Sequence, residues 1–229
     1  MNIASQQTID LLRDLEDVFN RHDPFRVRYE PNELICQAGS YAAGVYLLTA
    51  GIVRETYVDL LTKHGEVWMG LLGSGELIGS EFLLPDDDRL HRTSCRAVST
   101  ASLLFLERQA FETAVETHEV LRRFLFAHLV ERSFNLVRAL WRLQVGPEER
   151  VCSLLLDLAR LGEQMPGGRV AMPEAIDLRL LAGLLCLSPW QTKRAYESLA
   201  GVDQTGDRLT FAPEELLGWR SERKPASRT

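Results

Sequence analysis

The period of the apolar positions changes three times along the chain. Ile9, Leu12, Leu15 and Phe19 lie three or four residues apart, which predicts an amphipathic helix over residues 5–19. From Phe25 to Leu106 the runs become short and strand-like: "ELICQ", "GVYLLTAG", "IVRETYVDLL", "VWMGLLG", "TSCRAVS" and "ASLLFLE". Glycines at 39, 44, 51, 65, 70, 73, 75 and 79 punctuate them. Many short strands with frequent glycine turns predict a barrel or jelly roll. From Arg108 to Gln144 there is neither Gly nor Pro, and helical spacing returns. Leu121, Leu125, Leu129, Leu136, Leu140 and Leu143 form one stripe; Phe126, Val130, Phe134, Val137 and Trp141 form a second. One long helix is predicted, with more apolar surface than solvent tolerates. One stripe is expected to pack on the strands and the other on a partner helix, giving a dimer.

The remaining residues alternate short helices and hairpins. "GPEER" at 146–150 ends the long helix and starts another, with Pro147 at its first position and Glu148 and Glu149 at its positive end. Val151, Leu154, Leu155 and Leu158 are its apolar stripe, and "EQMPGGRVAM" predicts a hairpin. "AIDLRLLAGLLCLSPWQTKRAYESLAG" reads helix, break, helix, with Asp177 capping the first and Ser188 the second. Tyr196 and Leu199 lie at helical spacing on the second helix. "VDQTGDRLTF" predicts a second hairpin and "APEELLGW" a short helix, and the last ten residues read as disordered. Two helices followed by a hairpin is a winged helix-turn-helix order, though Cys186 stands at the turn where such motifs often place Gly.

Charge complicates that reading. The 229 residues carry 26 Lys and Arg against 32 Asp and Glu, net −6. Residues 147–229 hold 11 basic and 12 acidic residues, net −1, and residues 1–146 hold 15 and 20, net −5. Any DNA contact must therefore come from a local patch. Hydrophobic residues at 45% and charged residues at 25% are ordinary globular values. No apolar run reaches the ~18–20 residues of a membrane span, and the N-terminus does not read as a signal peptide, so a cytoplasmic protein is expected. Cys36, Cys95, Cys152 and Cys186 form no CxxC pair, which predicts reduced and mostly buried thiols rather than a disulfide framework, a zinc site or an iron–sulfur site. There is no His-x-His, G-x-S-x-G, P-loop or H-E-x-x-H motif, so an enzyme is not expected.

The order of these parts, from Phe25 to Trp219, resembles the cyclic-AMP receptor protein and fumarate–nitrate regulator (Crp-Fnr) superfamily of bacterial transcription regulators. "ICQAGSYAAGVYLLTAGIV" is similar to that family's first β-roll hairpins, with Gly39 and Gly51 at turns. "GLLGSGELIGSEFLL" is similar to the segment leading into its effector pocket, with Gly75 and Gly79 matching. "EERVCSLLLDLA" resembles the first helix of its DNA-binding domain, with Arg150 where the family usually has Arg. The resemblance implies an α+β fold: a double-stranded β-helix (jelly-roll) sensor domain over 1–110, a dimerisation helix over 111–145 and a winged helix-turn-helix domain over 146–229. It implies DNA, a second copy of the chain and RNA polymerase as partners.

In cyclic-AMP-binding members a Gly-Glu pair serves the ribose and an Arg-Ser pair the phosphate. Here Gly79, Ser80, Glu81, Arg92 and Thr93 are the candidate effector residues, with Ser80 at the Glu position and Glu81 displaced by one. Asp86, Asp87 and Asp88 add charge unfavourable to an anion. A regulator independent of cyclic AMP, with no required cofactor, is expected; haem remains a family option through His22, His64, His91, His118 or His128. The candidate DNA contacts are Arg179, Ser188, Trp190, Gln191, Thr192, Lys193 and Arg194. Gln191 suits adenine, Lys193 a phosphate and Arg194 guanine O6 and N7, while Trp190 either meets a thymine methyl or sugar or packs inward. The family's Arg-Glu opening is replaced by Pro189-Trp190, so the alternative is a regulator fold that has lost base readout and serves as a ligand-sensing or protein-interaction module.

Overall fold

The computed structural model describes residues 3–58, 66–80, 89–205 and 208–222. Contacts divide the chain into two units, residues 1–135 and 136–229, so the division falls inside the long helix rather than at either end.

The first unit opens with α1 (Ile3–Asn20) and continues through β1 (Phe25–Tyr29), β2 (Leu34–Cys36), β3 (Gly44–Ala50), β4 (Val53–Val58), β5 (Glu66–Leu72), β6 (Leu77–Ile78), β7 (Thr93–Ala97) and β8 (Ala101–Glu107). The strands form two antiparallel four-stranded sheets, ordered β1-β8-β3-β6 and β2-β7-β4-β5. Alternation along β3 and β8 explains why the first sheet is covered on both sides. Val45, Leu47, Leu104 and Leu106 join Leu15, Phe19 and Phe111 in one core cluster under the helices. Leu48 and Leu103 join Ile35, Val53, Leu72 and Cys95 in a second cluster between the sheets. The turn from β3 to β4 needs glycine, because Gly51 has φ +98° and a Cβ there would sit 2.3 Å from the Thr100 carbonyl oxygen.

The single helix expected over 108–144 is two helices, α2 (Arg108–Thr117) and α3 (Glu119–Arg142), separated at His118 in extended backbone. Side chains supply the break that no Gly or Pro announces. The Thr113 and Thr117 hydroxyls donate back to the carbonyls of Gln109 and Thr113, and Arg122 Nη1 donates to those of Val115 and Glu116. Arg122 thus satisfies two of the last four carbonyls of α2, and the His118 N–H satisfies that of Ala114, without helix continuation. At the same corner, His118 Nε2 lies 3.1 Å from His22 Nε2. Burial, and then the charges of His22, Arg21 and Arg122, hold the His118 imidazole below its ordinary value of 6.5. Below that value the unfolded chain binds more protons than the folded one, so stability is expected to fall as pH drops through 6.5. Thermal midpoints from about pH 7.5 to 5.5 check this; His118→Gln is expected to flatten the slope.

The second unit contains the tail of α3, then α4 (Pro147–Leu158), β9 (Glu163–Gln164), β10 (Val170–Ala171), α5 (Leu178–Leu185), α6 (Pro189–Glu197), β11 (Val202–Thr205), β12 (Arg208–Phe211) and α7 (Pro213–Glu222). Its strands pair in the order β11-β12-β10-β9. Leu155, Met172, Leu181, Phe211 and Leu216 are buried in its core. Asp157 on α4 accepts from Arg142, and its Oδ1 lies 3.3 Å from Arg138 Nε, which ties the tail of α3 to this unit. Arg150 completes the join, donating to the carbonyls of Leu143, Val145 and Leu185. Of the segment expected to be disordered, residues 220–222 are the last turn of α7 instead, and residues 223–229 lie outside the described residues.

Candidate nucleic-acid interface and effector pocket

Helix α6 is fixed at its start by reciprocal capping. Ser188 Oγ accepts the Gln191 N–H at 3.2 Å, and Gln191 Oε1 accepts the Ser188 N–H at 2.9 Å. Helix α5 is capped by Asp177, whose Oδ1 accepts the Leu180 N–H at 2.7 Å. Between the two helices Cys186 adopts φ 51° and ψ 42°, the left-handed conformation that glycine takes most cheaply. It is exposed and ends α5 by placing its N–H on the carbonyls of Ala182 and Gly183. The turn therefore keeps the geometry that the missing glycine would supply. Cys186→Gly is expected to stabilise the protein by ~0.5–1 kcal/mol, read as a higher thermal midpoint.

The underside of α6 carries Ala195 and Tyr196, both buried, and the helix packs on α4 and α5. Its outer face presents Trp190, Gln191, Lys193 and Arg194 to solvent. Trp190 is 65% exposed, so its indole is not a core residue; the Arg194 guanidinium lies over it, 5.4 Å from the ring centre. Lys193 Nζ lies 3.8 Å from Glu197 Oε1, one turn on. Arg179 and Ser188 are also exposed. Thr192 departs from the sequence expectation. It is fully buried, and its hydroxyl donates to the Ser188 carbonyl at 3.1 Å, so it braces the helix from inside and does not face outward.

In the first unit, Gly79 has φ +87°, and a Cβ there would meet the Gly44 carbonyl oxygen at 2.9 Å and His91 Cε1 at 3.0 Å. Ser80 beside it is half-buried and Arg92 is exposed. Glu81 and Asp86, Asp87 and Asp88 lie outside the described residues. Thr93 is buried and points at a residue that motif reading passed over: its Oγ1 donates to Glu55 Oε1 at 3.0 Å. Glu55 is only 6% exposed, and Arg132 Nη2 from α3 reaches its two oxygens at 2.8 and 2.7 Å. Burial would lower the Arg132 guanidinium; the charge and hydrogen bonds of the Glu55 carboxylate, and then the charge of Glu76, raise it above its ordinary value instead. Strand alternation carried the signal for this group, since Glu55 shares the inward face of Val53.

The candidate haem ligands are scattered. His22 pairs with His118, His91 is buried against Gly79, His128 is buried and stacked on Phe124, and His64 lies outside the described residues. Among the described residues no group of three or more His, Cys, Asp or Glu is placed to hold a metal ion. Cys36, Cys95 and Cys152 are buried, and burial pushes the Cys152 thiol up to about 11. No described helix is long and apolar enough to cross a membrane.

Residues 26–118 match the family model described as the cyclic nucleotide-binding domain. The fold extends the likeness over both units. FixK2 from Bradyrhizobium japonicum superposes with a TM-score of 0.69 at 19% identity, covering 86% of this chain and 96% of that one. A transcriptional regulator of the CRP family from Thermus thermophilus superposes at 0.66 with 20% identity, covering 88% and 100%. The chain has the fold of these regulators. In sequence, the chain is 26% identical over 132 residues to the HTH-type transcriptional regulator Cmr of Mycobacterium tuberculosis (strain CDC 1551 / Oshkosh), across 57% of this chain and 52% of Cmr. The match spans about half the length of that curated relative.

Proposed function

We propose that this protein is a dimeric, sequence-specific DNA-binding transcription regulator of the Crp-Fnr type in the cytoplasm, that it performs no catalysis, and that it acts without cyclic AMP. The observation that carries the reading is α6: a capped helix whose outer face offers Trp190, Lys193 and Arg194 while its inner face is buried. On this reading residues 1–110 are the sensor domain, 111–145 the dimerisation helix and 146–229 a winged helix-turn-helix domain. Arg179, Ser188, Trp190, Gln191, Lys193 and Arg194 face DNA, and RNA polymerase is the further partner. The exposed apolar residues of α3 supply the dimer contact. Independence from cyclic AMP is supported by Thr93, whose hydroxyl is already committed to Glu55.

One observation favours a second reading, a regulator fold without base readout. Gln191 spends its side-chain oxygen on the helix cap, and Glu197 offsets Lys193. Selection from a random double-stranded DNA pool, with no ligand added, separates the two. Enrichment of near-palindromes with half-site centres about 34–36 Å apart is expected; failure to enrich any sequence favours the second reading.

A further inference from the structure

Glu55 is an acidic side chain on the apolar inner face of β4, 6% exposed, where an unpaired carboxylate would be costly. It is compensated from two directions, by the Thr93 hydroxyl of β7 and by Arg132 of α3. Thr93 lies 38 residues along the chain from Glu55 and Arg132 lies 77, so the carboxylate joins two strands of one sheet to the long helix. A hydroxyl and a guanidinium converging on one point make a receptor for a small anion. Opposite Glu55 on β5 stands Gly70, and among the described residues a Cβ built there meets nothing within 4 Å.

We propose that the Glu55 carboxylate is an internal stand-in for an anionic ligand, occupying a carboxylate site formed by Thr93 and Arg132 and so fixing α3 on the β-roll with nothing bound. The proposal deepens the reading above, that no added effector is needed. The Arg132 guanidinium is already neutralised by Glu55, so a second anion entering the site of the intact protein meets a carboxylate in place. Removing the Glu55 side chain leaves the receptor empty and gives it an affinity for a free carboxylate of matching shape.

The test uses the full chain and no DNA, so its failure is distinct from a failure of DNA binding. Hydrogen exchange over residues 126–135 and the thermal midpoint are measured for wild type, E55A, E55Q and R132M, in sodium chloride and in sodium acetate at equal ionic strength and pH. In chloride, E55A is expected to exchange about tenfold faster over this stretch and to melt lower. Acetate is expected to reverse both changes in E55A and neither in R132M, and wild type is expected to ignore acetate, inorganic phosphate and cyclic AMP. If E55A does not fold, E55Q serves: it keeps the shape, loses the charge, and is expected to exchange faster with no response to acetate. Wild-type exchange in both E55A and E55Q overturns the proposal. So does fast exchange in E55A that acetate leaves unchanged, or a wild-type midpoint raised by phosphate or cyclic AMP.

Discussion

Leu140→Glu is expected to convert the protein from a dimer to a monomer of half the mass. Helix α3 buries Leu121 and Leu125 against the β-roll core but leaves Phe126, Leu129, Val130, Phe134, Val137 and Leu140 exposed. Phe126 is 75% and Leu140 63% exposed, values far from those of a packed helix face. Burying one such side chain contributes roughly 1.5–3 kcal/mol, so a seam of several, repeated by two-fold symmetry, is enough for a stable dimer. A carboxylate at Leu140 would enter that seam twice and lose hydration without gaining a partner. The fold itself is expected to survive, because the core-facing leucines of α3 are untouched. Sedimentation velocity at micromolar concentration reads the result. A monomeric wild type, or a Leu140→Glu variant that stays dimeric, removes α3 as the interface.

Arg194→Ala is expected to cost ~1–3 kcal/mol of DNA affinity and to relax preference at one base pair in each half-site. Its guanidinium lies over Trp190 on the outer face of α6, which limits its freedom before DNA arrives. Lys193→Ala is expected to behave differently. A phosphate contact carries no sequence information, so affinity is expected to fall alike on all sequences and the salt slope to shrink by about one counterion. Trp190→Ala is expected to leave thermal stability within ~0.5 kcal/mol of wild type, because the indole is exposed, while changing sequence preference. Fluorescence anisotropy on matched and scrambled duplexes at several salt concentrations separates the three. If Arg194→Ala and Lys193→Ala both leave affinity unchanged, α6 does not read DNA.

Most of the fold was legible because alternation and helical spacing are local. The glycine at 51, the proline at 147 and the caps Asp177 and Ser188 each announce a turn or a helix end through their own backbone chemistry. The break at His118 was not legible, because it rests on Arg122 closing the end of α2 rather than on a breaking residue. Thr192 was assigned to the outer face by its polarity, yet its hydroxyl is satisfied by a carbonyl one turn back, and that allows it to be buried. Glu55 and Arg132 were invisible to motif reading for a different reason. Their meaning lies in a pairing across 77 residues, and the inward register of Glu55 on β4 is the one local sign of it.

A gel shift on the duplex recovered from the random pool, run with no ligand and with cyclic AMP side by side, tests most directly whether the chain is an effector-independent DNA-binding regulator. A dimer-sized complex of equal affinity in both lanes is the expected result. No complex in either lane, or a complex only with cyclic AMP, would contradict it.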